Sequence, residues 1–217
     1  MAGSKHVGAA TRQRPPARQR ILDTAFELFY AHGVRGVGVD TLIADSGVAK
    51  ATFYKHFPRK DDLALAYLDR VDEIWRGQLA AAAEAAGADP RDRIVGMFDA
   101  VHTACRRDGY RGCAFINAAA EATAGTELHA RTVAHKTAVR TWIRDLAAGA
   151  GAENPGHLAR QLTLLLDGAL AAGVLDGDPD AADAAKAAAA ALVEHATRNG
   201  AERADPVRSR PAGRSGP

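Results

Sequence analysis

Apolar residues recur along this chain at intervals of three and four, the period of a helix with one buried face. Between residues 18 and 32, Ile21, Leu22, Ala25, Phe26, Leu28 and Phe29 keep that period and predict a first helix. Gly33 ends it, and Gly36 and Gly38 loosen the link that follows. Two short helices are predicted at about 40–46 and 50–56, separated by Gly47 and closed by Pro58. A long helix starts near Asp61, where Asp61 and Asp62 suit the positive end of a helix. Its apolar face holds Leu65, Leu68, Val71, Trp75 and Leu79. Beyond Gly87 five more helices are predicted, at about 90–107, 112–123, 127–148, 155–173 and 179–199. Glycines at 109, 125, 149 and 151, and the Asp-Gly-Asp-Pro run at 176–179, punctuate them. No convincing period-two alternation appears, so the expected fold class is all-α, with about nine helices.

The ends of the chain differ from this pattern. Residues 1–17 hold Gly, Ser, Arg and the pair Pro15-Pro16, which predicts a flexible basic arm. Residues 200–217, with Pro206, Pro211, Pro217 and several Arg, predict a disordered tail. Met1 to Arg20 is polar and basic and lacks the apolar run of a signal peptide. No stretch reaches about 18 consecutive strongly apolar residues, so no membrane span is expected. A cytoplasmic protein is the expectation.

Charge sharpens the picture. The net charge of +2 hides an asymmetry. Residues 1–60 carry ten Lys/Arg against four Asp/Glu, or +6, and residues 61–217 carry 18 against 22, or −4. A basic first quarter points to a polyanionic partner at that end. Cys105 and Cys113 are the only cysteines, too few for a disulfide framework or a cysteine-based zinc site.

The segment 42–57, LIADSGVAKATFYKHF, joins two short helices through a glycine turn. That is the layout of a helix-turn-helix, in which one helix crosses the DNA backbone and the next enters the major groove. Leu42, Ile43, Val48, Phe53 and Phe57 supply an apolar inner side. Lys50, Thr52, Tyr54, Lys55 and His56 supply polar tips, with Lys60 just beyond, and such donors suit phosphates and base edges.

The run Arg20-Ile21-Leu22, Ala25-Phe26-Glu27-Leu28-Phe29, Gly33, Gly47-Val48-Ala49-Lys50-Ala51-Thr52-Phe53-Tyr54, His56-Phe57 and Lys60 resembles the TetR/AcrR family of bacterial regulators in order and spacing. Gly112 to Glu121 looks like a segment seen in one branch of that family. The resemblance implies a three-helix DNA-binding domain at 18–60, followed by a larger helical effector-binding and dimerisation domain at 61–199. It implies that Lys50, Ala51, Thr52 and Lys55 face base edges or nearby phosphates. Tyr54, His56 and Lys60 would hold phosphates, Val39 would lie against the backbone, and Arg18 and Arg20 would add arm contacts. Two departures stand out. Many members have Ser or Thr where this chain has Gly38, and Ser where it has Ala49, so two hydroxyls that could cap a helix or bind phosphate are gone.

The resemblance further implies a homodimer through the last two helices, reading a double-stranded, palindromic operator. The stripe Leu158, Leu162, Leu165, Ala169, with Gln161, Leu164 and Gly168 beside it, and the stripe Ala185, Ala188, Ala189, Leu192, Val193, Ala196 permit such packing. An effector pocket is implied in the middle helices. Polar groups on otherwise apolar faces nominate Phe98, His102, Asn117, Glu121, His135 and Trp142, walled by Trp75 and Phe115. The expected function is a transcriptional regulator, a repressor released by a small molecule. Two alternatives use the same fold: a redox sensor through Cys105 and Cys113, or a metal sensor through His102, Glu121, His135 and Asp167. A remote one is an enzyme with Cys113 as nucleophile, His135 as base and Glu121 as orienter. No nucleophile elbow, metal-ligand spacing or phosphate-cradling glycine loop supports it, so no catalysis, cofactor or metal is expected.

Overall fold

The computed structural model describes residues 14–178 and 180–204, so most of the expected arm and tail lies outside the described residues. Ten helices and no strand occur among the described residues. Helix α1 (Ala17–His32) starts after Pro16 and stops at Gly33, whose φ of 78° suits glycine and whose amide closes on the Phe29 carbonyl. Helix α2 (Val39–Ser46) turns through Gly47, with φ 61° and ψ 37°, into α3 (Lys50–His56). Helix α4 (Lys60–Ala85) begins with a reciprocal cap between Arg59 and Asp62. The Arg59 side-chain hydrogen bond holds the Asp62 carboxyl below the usual carboxylate range.

The stretch expected as one helix at 90–107 is two, α5 (Pro90–Gly96) and α6 (Phe98–Cys105), divided at Met97. A close approach accompanies the break. Gly96 lies so near α4 that a Cβ on it would stand 2.3 Å from the Ala86 methyl. Beside it the ladder tightens, and the Ala100 amide reaches back only to the Met97 carbonyl, at 3.2 Å. Then come α7 (Ala114–Glu121), α8 (Glu127–Gly149), α9 (Pro155–Leu175) and α10 (Ala181–Ala204). The backbone of α10 stays helical past the expected end at residue 199. Thr126 and Asn154 cap α8 and α9 through their side chains.

Two apolar cores form. One joins α1, α2 and α3 to the start of α4 and to Ala114, Phe115 and Ala118 of α7. The other is built from the rest of α4 with α5, α6, α8, α9 and α10. Helix α9 is long and apolar enough to cross a membrane by length and composition alone. Here it is a core helix, packed between α8 and α10 with Leu158, Leu162, Leu166 and Leu170 buried.

The stripes nominated for dimer contact need correction. Leu158, Leu162, Ala169, Ala185, Ala189 and Val193 face the chain's own core. Leu165, Leu192 and Ala196 are half-buried and Ala188 is exposed, and the flanking Leu164 (67% exposed) and Gly168 continue through Ala171 to Leu175 (81% exposed) as the solvent stripe of α9. Periodicity places residues on a common face, and two adjacent apolar faces on one helix look alike in sequence.

Charged groups brace α4 from both sides. Arg70 meets Asp23 of α1 at 2.5 Å and stacks over Phe26 at 4.8 Å. Arg131 of α8 meets Asp69 at 2.6 Å and Asp72 at 3.1 Å. The His135 Nδ1 lies 2.5 Å from the Asp72 carboxylate, and its ring stacks on Phe115 at 3.5 Å. Burial (His135 is 1% exposed) pushes the imidazole pKa below its ordinary value, and the Asp72 hydrogen bond only partly opposes this. Burial also tends to raise the Asp72 carboxyl, but the His135 and Arg131 hydrogen bonds outweigh it and leave it below the usual range. A neutral imidazole whose Nδ1–H donates to ionised Asp72 fits both directions.

Two predictions follow from this packing. Because the folded imidazole pKa is lowered, the unfolded chain takes up a proton on His135 first. Its contribution is complete above the ordinary histidine value of about 6.5 and is lost as pH falls toward the folded value. Thermal unfolding followed from pH 7.5 down to 5.5 is expected to show a falling midpoint. His135→Gln should begin lower, by about 1–3 kcal/mol at pH 7.5, and fall less steeply. An identical slope in both proteins would assign the titration elsewhere. Separately, Ala49 at the start of α3 is extended and gives no side-chain cap. Ala49→Ser is expected to add about 1 kcal/mol, raising the unfolding midpoint by about 2–4 °C; no rise in calorimetry would show that a backbone or solvent partner already meets those amides.

Candidate nucleic-acid interface and adjoining cavity

The reading surface is built on the core of α1–α3. Phe53 and Phe57 are buried, with Leu42 and Val48 beside them, which fixes the roll of α3. That leaves Lys50, Ala51, Tyr54 and Lys55 exposed, and Thr52 and His56 half-buried at its edges. Tyr54 is 42% exposed and touches Phe53 only edge-on, at 5.5 Å between ring centroids, so its hydroxyl end stays in solvent. Lys50 makes only a loose, exposed pair with Asp40 at 3.8 Å. Val39 opens α2, and Lys60 opens α4. The structure thus brings Lys50, Ala51, Thr52, Tyr54, Lys55 and His56 together on one short helix.

Arg18 and Arg20 serve this head differently from free arm residues. The Arg20 guanidinium donates to the Gly47 carbonyl at 3.3 Å, and Arg14 donates to the same oxygen at 3.4 Å. Arg18 lies over the Phe57 ring at 5.3 Å. Arg14 and Arg20 steady the turn between α2 and α3, and Arg18 packs against the end of α3. Arg14 was not singled out from sequence, although the basic run around it was visible. Neither Gly38 nor Ala49 contributes a side-chain cap, so the missing hydroxyls are not replaced locally by those two side chains.

Helix α1 and the link after it are fastened to the segment before α7 and to the end of α7. The Tyr30 hydroxyl donates to the Gly112 carbonyl at 3.2 Å and accepts from the Arg111 amide at 3.0 Å. At the other end, the Glu121 carboxylate accepts from the Arg35 amide at 2.7 Å. It fills the space over Gly33 so closely that a Cβ there would stand 2.1 Å from Oε1.

Between α1, α4, α9 and the α6–α7 segment lies a mostly apolar cavity of about 320 Å³, bordered by Phe26, Tyr30, Trp75, Tyr110, Cys113 and Phe115 among others. Of the eight nominated effector residues, Trp75 and Phe115 line it. The other six are placed elsewhere, each for a visible reason. Phe98 and Trp142 pack in the body core. His102 is held by Asp183 at 3.0 Å, and the Asn117 side chain donates to the Arg111 carbonyl at 2.9 Å. Glu121 is engaged with Arg35, and His135 with Asp72. The residues of the metal alternative are likewise dispersed, with Asp167 paired to Lys136. Among the described residues no group of three or more His, Cys, Asp or Glu side chains is placed to hold a metal ion. Cys105 and Cys113 are both free thiols and half-buried. The cavity residues missed from sequence are Phe26, which the helical period assigns to the inner face of α1, Tyr30 at the end of that helix, and Tyr110 in the link after α6.

Comparison with known proteins agrees with this geometry. The family model described as bacterial regulatory proteins, tetR family, matches residues 21–67. The chain is similar to the HTH-type transcriptional regulator LmrA of Bacillus subtilis, 35% identical over 79 residues, which is 36% of this chain and 42% of LmrA. It is similar to the HTH-type transcriptional regulator TcmR of Streptomyces glaucescens, 32% identical over 96 residues, 43% of this chain and 42% of TcmR. These matches span less than half the length of either curated relative. The structural likeness is broader. The crystal structure of SCO4454, a TetR-family transcriptional regulator from Streptomyces coelicolor, is 34% identical with a TM-score of 0.78, over 83% of this chain and 96% of that one. With a helix-turn-helix head on a helical body, and 34% identity to that structure over 83% of this chain and 96% of that one, this chain belongs to the TetR family of bacterial regulatory proteins.

Proposed function

We propose that this protein is a sequence-specific DNA-binding transcriptional regulator, a repressor that leaves a palindromic operator when a small-molecule effector binds. The observation that carries the reading is α3: a rigidly rolled helix that exposes Lys50, Ala51, Tyr54 and Lys55 while its aromatic underside is buried. In this reading Lys50, Ala51, Thr52 and Lys55 meet base edges. Tyr54, His56 and Lys60 hold phosphates, and Val39 rests on the backbone. Arg18 and Arg20 add arm contacts, and Arg20 also holds the turn through the Gly47 carbonyl. Residues 18–60 form the reading head and 61–199 the body, which works in the bacterial cytoplasm.

The working unit is a homodimer through α9 and α10, which sets two reading heads about 34–36 Å apart, one DNA turn. The exposed stripe Leu164, Gly168, Ala171, Leu175 supplies its apolar contact, and Gly168 leaves room for close approach. The effector favours a conformation in which the heads no longer match that spacing, and release is a population shift.

Selection from random duplex DNA at near-physiological salt tests the reading. An inverted repeat with half-sites about one turn apart is expected; a folded dimer that enriches no sequence would defeat the proposal. On the selected site, Lys55→Ala should cost about 1–3 kcal/mol and relax base preference, whereas Lys60→Ala should weaken all sequences alike and lower the salt slope by about one. The dimer has its own test. A Cβ at Gly168 meets nothing within 4 Å in the single chain, so Gly168→Glu with Leu164→Glu leaves the protomer's packing alone. The double variant should run as a monomer on sizing, keep its helical content, and lose operator affinity by about tenfold or more. A variant that remains dimeric would place the interface elsewhere.

A further inference from the structure

The cavity beside α1 has features that specify a ligand. Its walls are the rings of Phe26, Tyr30, Trp75, Tyr110 and Phe115, with Val71, Ile74 and Leu170 between them. Both phenol hydroxyls are turned into the protein: Tyr30 to the Gly112 carbonyl and Tyr110 to the Leu170 carbonyl at 2.8 Å. The lining is therefore apolar and aromatic, and aromatic rings attract positive charge: Arg70 already lies over Phe26 at 4.8 Å and Arg131 over Phe115 at 5.7 Å. The rim carries Glu27, Asp108 and Arg107, a balance of one net negative charge. Neither carboxylate has a hydrogen bond or ion pair among the described residues. Arg107 lies over the Tyr30 ring, its guanidinium 5.9 Å from the centroid, so an aromatic face at the mouth already holds a cation. A volume of about 320 Å³ sits at the small end of ligand sites and admits a two-ring molecule.

We infer that this cavity, shared between the reading head and the body, binds a flat aromatic cation that drives α1 and the α6–α7 segment apart. This deepens the proposed function and rests on it for its effect on DNA. The ligand rings lie against Trp75, with Phe115 closing the wall behind them. Their positive charge takes the place of Arg107 at Tyr30 and is met by Glu27 and Asp108. Because Tyr30 ties α1 to Arg111 and Gly112 in the same wall, occupancy loosens the tie that sets the angle of the head. The body need not relay the signal over a distance, since the ligand touches α1 itself.

Three two-ring probes separate the chemistry: N-methylquinolinium (cation), quinoline (neutral at pH 8) and 2-naphthoate (anion). Calorimetric titration of the full chain without DNA is expected to rank them in that order, with the cation about fivefold or more tighter than quinoline. Ile74→Trp, which fills the cavity from a partly exposed wall position, should abolish heat, and Glu27→Gln with Asp108→Asn should erase the preference for the cation. On the selected operator, N-methylquinolinium should raise the apparent Kd by about fivefold or more. If the anion binds as well as the cation, the charge assignment is overturned. If the chain binds its operator but none of the probes, the cavity assignment is overturned and the regulator reading stands. If the cation binds as expected and no DNA sequence is selected, the regulator reading fails while the site is supported. Binding that leaves operator affinity unchanged overturns the wedge.

Discussion

Phe115 is the point on which the two halves of this molecule meet. Its ring is buried in the apolar core that α1 and α4 build for the reading head. One face stacks on His135 of α8, which is fixed by Asp72 of α4. Arg131 approaches the same ring at 5.7 Å while paired to Asp69 and Asp72. One aromatic side chain thus joins the head core, the His135–Asp72 pair and the cavity wall. Helix α7 is short; it packs beside α8 of the body, while Ala114, Phe115 and Ala118 on it join the core of the head. The orientation of the head is consequently set by contacts on α7 as well as by the continuous helix α4.

Electrostatics reinforce that arrangement without dominating it. Most ion pairs here lie at half-exposed positions, where each is worth about 0–1 kcal/mol. Their value is directional. Asp23–Arg70 sets α1 against α4, and Arg131 with Asp69 and Asp72 sets α8 against α4. Around the buried His135 the cost of removing charge from water decides the protonation state, and a neutral ring suits stacking on Phe115.

The reading head was legible in the sequence because its turns are written in glycine and its inner face in aromatics. Gly33 and Gly47 adopt positive φ where breaks were expected, and Phe53 and Phe57 are buried. The body was legible as helices but not as surfaces. A helical period tells which residues share a face, and it does not tell what that face meets. His102, Asn117, Glu121 and His135 looked like polar groups aimed at a ligand, yet three of them find partners more than 60 residues away. The break at Met97 was invisible for a similar reason: the close approach that accompanies it, of Gly96 to Ala86, exists only in the fold. The cavity lay partly on α1, a helix whose pattern had already been accounted for by its role in the head.

The clamp of α1 onto α7 bears on how such proteins can be recombined. Regulators of this kind invite modular exchange, in which a head of known operator preference is grafted onto a body of known ligand response. Here the seam does not fall at the end of α3. Tyr30 is matched to Gly112, and Arg35 to Glu121 across 86 positions, with Gly33 leaving the space that Glu121 fills. A graft cut at residue 60 would separate each of these pairs. A chimera that carries residues 111–123 along with the head would keep the joint intact, so the inheritable unit of DNA recognition in this fold is discontinuous in sequence.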